Sequence, residues 1–151
     1  MCLCGKINKL CGGSFGSYTN SWVQDLVLSS SGQPYLLSQK NIIQYYDGSN
    51  WNTAGNGSYN TDGTAVTAIN FSNTGVLYVV YVQNNGQKLC LSKLVNNTWS
   101  NVFCSDSYFV DKTEGDTGGS VDLAFSNNND LFIAIKGKDD KKVYVLRYGP
   151  Q

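Results

Sequence analysis

The sequence predicts an all-β repeat protein built from four-stranded antiparallel units, and three observations carry that expectation. One phrase recurs three times, at Val23 to Leu37, Val66 to Tyr81 and Val121 to Ile135. Aligned on Ser29, Ser72 and Ser126, each copy has an apolar residue just before the serine (Leu28, Phe71, Phe125). Each also has an aromatic six residues after it (Tyr35, Tyr78, Phe132). The copies lie 43 and 54 residues apart, a period that marks a repeat architecture. Within each copy, short apolar runs alternate with clusters of Gly, Asn, Asp and Ser, the residues that turns demand. No stretch shows a helical period.

The first copy gives strand a over 23–28, b over 35–37, c over 42–46 and, after the turn Asp47-Gly48-Ser49, d over 50–54. The second gives a over 66–71, b over 77–82, c over 89–94 and d over 98–103, with Val95-Asn96-Asn97 as its c–d turn. The third gives a over 121–125, b over 131–135 and c over 143–148, with a charged b–c turn between Gly137 and Lys142. Strand b is apolar almost throughout, as a strand covered on both faces should be. Strand d is the most polar and is expected outermost.

The two ends of the chain read as complementary. Ile7 to Phe15 aligns without gaps on Trp51 to Tyr59, and Trp99 to Tyr108 repeats it with one extra residue. The third copy reaches Gly149-Pro150-Gln151 where its strand d should begin. Four-stranded units of about 40–50 residues with an aromatic on the outer strand are blades of a β-propeller. The expectation is therefore a single half-propeller domain over 1–151, with blades at about 21–59, 64–108 and 119–148 plus 7–15. Closed propellers run from about four to eight blades, so identical three-bladed chains close at six. The reading is a homodimer in which residues 7–15 supply the missing outer strand. The alternative is that another propeller chain completes the fold.

Composition excludes several function classes. The 151 residues carry no net charge and one arginine, Arg147, so a nucleic-acid partner is not expected. Only 15% of residues are charged, well below the roughly 25% of an average chain, so amides and hydroxyls supply the surface polarity. No run of 18 apolar residues predicts a membrane span, and Met1 to Gly13 shows no apolar leader; the compartment is left open. There is no histidine, which removes the commonest general base and metal ligand, and Glu114 is the sole glutamate. The sequence reads as a non-enzyme, with no cofactor and no metal site.

The c–d phrases Tyr45-Tyr-Asp-Gly-Ser-Asn-Trp51 and Leu94-Val-Asn-Asn-Thr-Trp99 resemble those of tectonin-like and sialidase-like lectin propellers. That resemblance implies sugars held in clefts between blades, stacked on an aromatic and bonded by amide, hydroxyl and carboxylate side chains. Residue by residue it points to Tyr45, Tyr46, Trp51 and Asn52, and to Trp99 and Asn101. Trp22, which does not repeat, is the expected exposed contact. Trp51 and Trp99 also fit a second role, packing between blades with the indole N–H bonded to the next loop. Asp25 and Asp122 share one position on strand a, where the middle copy has Ala68. They suit a cation or a sugar hydroxyl, or equally a backbone amide. Of the five cysteines, Cys90 and Cys104 fall almost opposite each other when strand c folds back on strand d. They are a candidate disulfide, although Cys90 also suits a small buried apolar position. The function expected is a lectin-like glycan-binding module. The alternative is a protein-interaction or structural propeller.

Overall fold

The computed structural model of the chain describes residues 3–4, 7–8, 23–38, 41–60, 64–83, 88–105, 121–137 and 142–149. All described elements are strands. Sheet 1 is the meander β3 (Val23–Leu28), β4 (Pro34–Ser38), β5 (Ile42–Tyr46) and β6 (Trp51–Thr53). Sheet 2 is β7 (Thr64–Phe71), β8 (Leu77–Gln83), β9 (Leu89–Val95) and β10 (Thr98–Cys104). Sheet 3 has three strands, β11 (Val121–Phe125), β12 (Leu131–Lys136) and β13 (Val143–Tyr148). A short ladder joins β1 (Leu3–Cys4) to β2 (Ile7–Asn8). Every strand expected between residues 23 and 148 is present, with ends moved by two residues or fewer.

One turn, built three times, explains the recurring serine. Ser29, Ser72 and Ser126 each donate a backbone N–H to the carbonyl four residues on and accept one from the residue three on. The residue three on has positive φ: Gly32 at 79°, Gly75 at 79° and Asn129 at 66°. Glycine and asparagine tolerate that left-handed backbone best. Each serine Oγ then accepts the N–H of the fourth residue, from Gln33 at 3.1 Å, Val76 at 3.0 Å and Asp130 at 3.1 Å. The a–b hairpin is thus closed by a hydroxyl as well as by backbone. The c–d turn of sheet 2 uses Asn96 and Asn97, both at positive φ, the two-residue geometry that matches strand twist.

First strands lie side by side, β3 beside β7 and β7 beside β11, and the sheets pack face on face in chain order. We call the face turned to the following sheet forward and the other rear. Forward residues of sheet 1 (Leu37, Ile43) meet rear residues of sheet 2 (Ile69, Leu77, Val79, Tyr81) in one buried cluster. Forward residues of sheet 2 (Ala68, Val80, Val82, Leu89, Leu91) meet rear residues of sheet 3 (Leu123, Leu131, Ile133, Ile135) in another. Sheet 2 is therefore covered on both sides, and β8 is buried at alternate and intervening positions alike. In β12 burial alternates strictly, because among the described residues a sheet packs on the rear face of sheet 3 and none on its forward face.

The expected fourth strand of sheet 3 is a point of difference. In the single chain, Ile7–Asn8 pairs antiparallel with Leu3–Cys4, not with β13, and residues 9–15 fall outside the described residues. Strands separated by two residues close at little entropic cost, whereas pairing with β13 spans most of the chain.

Candidate functional site

The two seams between sheets share a rim at their a–b and c–d turn end. The apolar residue before each serine and the aromatic after it, which the sequence shows only as recurrences, are partners across these seams. Tyr35 of sheet 1 meets Phe71 of sheet 2 edge-on, with centroids 5.0 Å apart. Tyr78 of sheet 2 meets Phe125 of sheet 3 at 5.2 Å. Beside the first pair, Tyr45 stacks on Tyr35 at 5.4 Å, and Asn52 is its cross-strand neighbour. Beside the second, Lys93 stands opposite Tyr78 and Ser100 opposite Lys93. Each rim thus sets an aromatic step next to polar side chains. Burial pushes the Tyr35 phenol above its ordinary pKa, and the neighbouring Tyr45 phenol adds to the effect.

Asn52 is held in place by an exposed aspartate. Its Nδ2 donates to Asp47 Oδ2 at 2.7 Å, while Asp47 Oδ1 accepts the N–H groups of Ser49 at 2.8 Å and Asn50 at 2.7 Å. These bonds, the Asn50 and Ser49 amides first, hold the Asp47 carboxyl below the usual aspartate range. A lowered folded pKa means that the stabilisation is present above the unfolded value, about 4, and is lost as pH falls through the folded one. We expect the Ser49 and Asn50 amide shifts to titrate with a midpoint below that value. In Asp47→Asn they should stay flat. A midpoint at or above 4 would show that the turn does not grip the carboxylate.

The residues singled out on strands c and d divide between two faces, because neighbours on a strand point oppositely. Tyr45 and Asn52 face sheet 2. Tyr46 and Trp51 lie together on the rear face, with rings 5.4 Å apart and the Tyr46 hydroxyl donating to Gly48 O at 2.9 Å. The four cannot line one cleft. Trp99 sits in the seam against sheet 1, its Nε1 donating to Ala54 O at 3.2 Å and its ring 5.9 Å from Tyr59. Asn101 is exposed and donates to Cys104 Sγ at 3.2 Å. Trp22 falls outside the described residues.

Asp25 bridges first strands. Its Oδ1 accepts the Leu26 N–H at 2.7 Å and its Oδ2 the Ile69 N–H of sheet 2 at 2.8 Å. Asp122 repeats the local half, accepting the Leu123 N–H at 2.8 Å. Replacing Asp25 by Ala orphans the Ile69 amide in the seam. We expect a stability loss of about 1–2 kcal/mol in denaturant unfolding, against a few tenths for Asp122→Ala. Equal losses would show that the bridge to Ile69 adds nothing. Cys90 and Cys104 are register partners on β9 and β10, with sulfurs 2.07 Å apart in a disulfide. Among the described residues no group of three or more His, Cys, Asp or Glu is placed to hold a metal ion, and no helix is long and apolar enough to cross a membrane.

No family model matches the chain, and no curated protein matches it in sequence. Among solved structures it is similar to a fucose lectin from Kordia zhangzhouensis, solved in complex with methyl-fucoside. The TM-score is 0.51 at 11% identity, covering 87% of this chain and 94% of the lectin chain. At that identity the likeness concerns the fold. The likeness is to the fold of a lectin and does not single out tectonin-like or sialidase-like propellers.

Proposed function

We propose that this chain is a non-catalytic, lectin-like binding protein whose sheets are propeller blades and whose ligands are glycans held at the rims between blades. The observation that carries the reading is the repeated rim, in which Tyr35, Tyr45 and Phe71 stand beside Asn52, and Tyr78 and Phe125 beside Lys93 and Ser100. A sugar offers an apolar face to such a ring and hydroxyls to such a border. The fold's likeness to a fucose lectin supports the same reading. A glycan array followed by calorimetry tests it. Tyr45→Ala should weaken binding about tenfold, or about 1.4 kcal/mol, while Tyr46→Phe, on the rear face, should leave it unchanged. Silence across the array, or equal losses from the two variants, would sink the rim as the site.

A second reading, a protein-interaction or structural propeller, rests on a separate observation. Leu26 and Leu28 at one end of the stack and Val143 and Val145 at the other are exposed. Apolar sheet faces of that kind mark association. We propose a homodimer of six blades as the form in which both readings operate.

A further inference from the structure

Both seams inside the chain use the same positions, so each end of the stack can be read against them. On the rear face, the third residue before the turn serine is Ile69 in sheet 2 and Leu123 in sheet 3, 2% and 3% exposed, whereas Leu26 of sheet 1 is 55% exposed. On the forward face, Leu89 and Leu91 of sheet 2 are 1% and 0% exposed, whereas their counterparts Val143 and Val145 in sheet 3 are 75% and 66% exposed. The aromatic pairs Tyr35–Phe71 and Tyr78–Phe125 leave two unmatched members. Phe132 stands on the forward end and Leu28 on the rear end. The ends thus carry opposite halves of one seam, not two copies of the same half.

We infer that the forward face of sheet 3 docks on the rear face of sheet 1 of a second copy of this chain, and that two such head-to-tail seams close a ring of six sheets. This rests on the propeller reading, since closed rings of about four to eight blades admit two three-bladed chains and not three. A second copy is the occupant because the exposed first-strand positions, Leu26 at the rear end and Ala124 at the forward end, are those that meet where β7 lies beside β11 within the chain. A head-to-tail contact makes a closed assembly only when its rotation completes a circle, which six blades allow. Leu36 and Tyr46, farther out on the rear face of sheet 1, are already buried, so the docking strip runs along β3. The forward face offers a hollow of about 160 Å³ lined by Asp122, Ala134, Ile135, Lys136 and Val143, which the seam fills. Phe132 and Arg147 are cross-strand partners, as Tyr35 and Tyr45 are in sheet 1 and Tyr78 and Lys93 in sheet 2. A third rim is therefore completed only by the second copy's Leu28.

The test is assembled mass by light scattering, with far-UV circular dichroism as the check on folding. Within the chain, Asn70 Nδ2 reaches Leu123 O at 3.1 Å, so the second residue before one serine touches the third before the next. Ala124 and Leu26 are the corresponding pair between copies. Wild type should have the mass of two chains, and Leu26→Arg and Ala124→Arg should each reduce it to one. Leu26→Arg combined with Ala124→Glu in the same chain should recover two. A wild type of one chain overturns the inference. So does a two-chain mass that survives either single variant, or a double variant no larger than the singles. The glycan reading fails separately. One-chain protein that binds sugar removes the seam alone, and two-chain protein that binds none removes the glycan alone.

Discussion

Gly55→Ala is expected to lower stability by roughly 3 kcal/mol, far more than a surface methyl group normally costs. Two terms make up the loss. Gly55 has φ of +82°, where a side chain costs about 1–2 kcal/mol. Its new Cβ would also stand 2.6 Å from Trp99 Nε1, 2.9 Å from Leu94 Cδ1 and 3.0 Å from Trp99 Cδ1. The indole cannot move aside freely, since its N–H is the group that donates to Ala54 O. Displacing it sacrifices that bond, worth about 1 kcal/mol, and disturbs the ring's packing on Tyr59. For a chain of this size the thermal midpoint should fall by about 6–12 °C. Gly75→Ala is the control, with a φ of +79° and no atom within 4 Å of the added carbon, so only the backbone term applies. If the two variants lose equally, Trp99 is not pinned in the seam. Its claim as a stacking platform for a ligand would then revive. If Gly55→Ala loses more, Trp99 belongs to the fold.

That division between fold and site is where sequence reasoning ran out. The strands were legible because their boundaries are turn chemistry. Ser29, Ser72 and Ser126 mark hairpins, and Gly32, Gly75 and Asn129, at one fixed distance from them, supply the left-handed residue. The split of Tyr45 from Tyr46 was legible too, as adjacent residues on a strand must part. What the sequence could not show is which copy a recurring residue touches. Leu28, Phe71 and Phe125 look like internal features of each repeat, yet Phe71 and Phe125 serve the preceding sheet. Asp25 likewise looks like a candidate ligand group until the Ile69 amide arrives from the neighbouring strand. Strand b of the third copy reads as doubly covered, but half of its residues face the open side of sheet 3. The N-terminal segment is a different case. Its likeness to strand d is real, but Ile7–Asn8 finds a partner nearby in Leu3–Cys4.

Reduction of the Cys90–Cys104 disulfide should cost about 3 kcal/mol, the loop-closure entropy of roughly 15 residues returned to the unfolded chain. The two cysteines are 14 residues apart in sequence, on either side of the Asn96-Asn97 turn, and are cross-strand partners near the far end of the β9–β10 ladder. The bridge therefore ties the outermost strand to the core. Cys90 is fully buried in the seam against sheet 1, whereas Cys104 is half-buried on the outer strand. After reduction Cys90 still fills its place as a small apolar residue, so the fold should persist with a thermal midpoint about 6–12 °C lower. The Cys90→Ala/Cys104→Ala double variant should match the reduced protein and no longer respond to reductant. Thiol labelling of unreduced protein followed by mass spectrometry reads the bridge directly, with Cys90 and Cys104 unmodified and joined in one peptide pair. Labelling at both positions, or a midpoint indifferent to reductant, would show two thiols standing opposite each other without a bond. A bridge that forms also constrains where the protein works, since such a bond persists in an oxidising compartment and is rare where glutathione keeps thiols reduced.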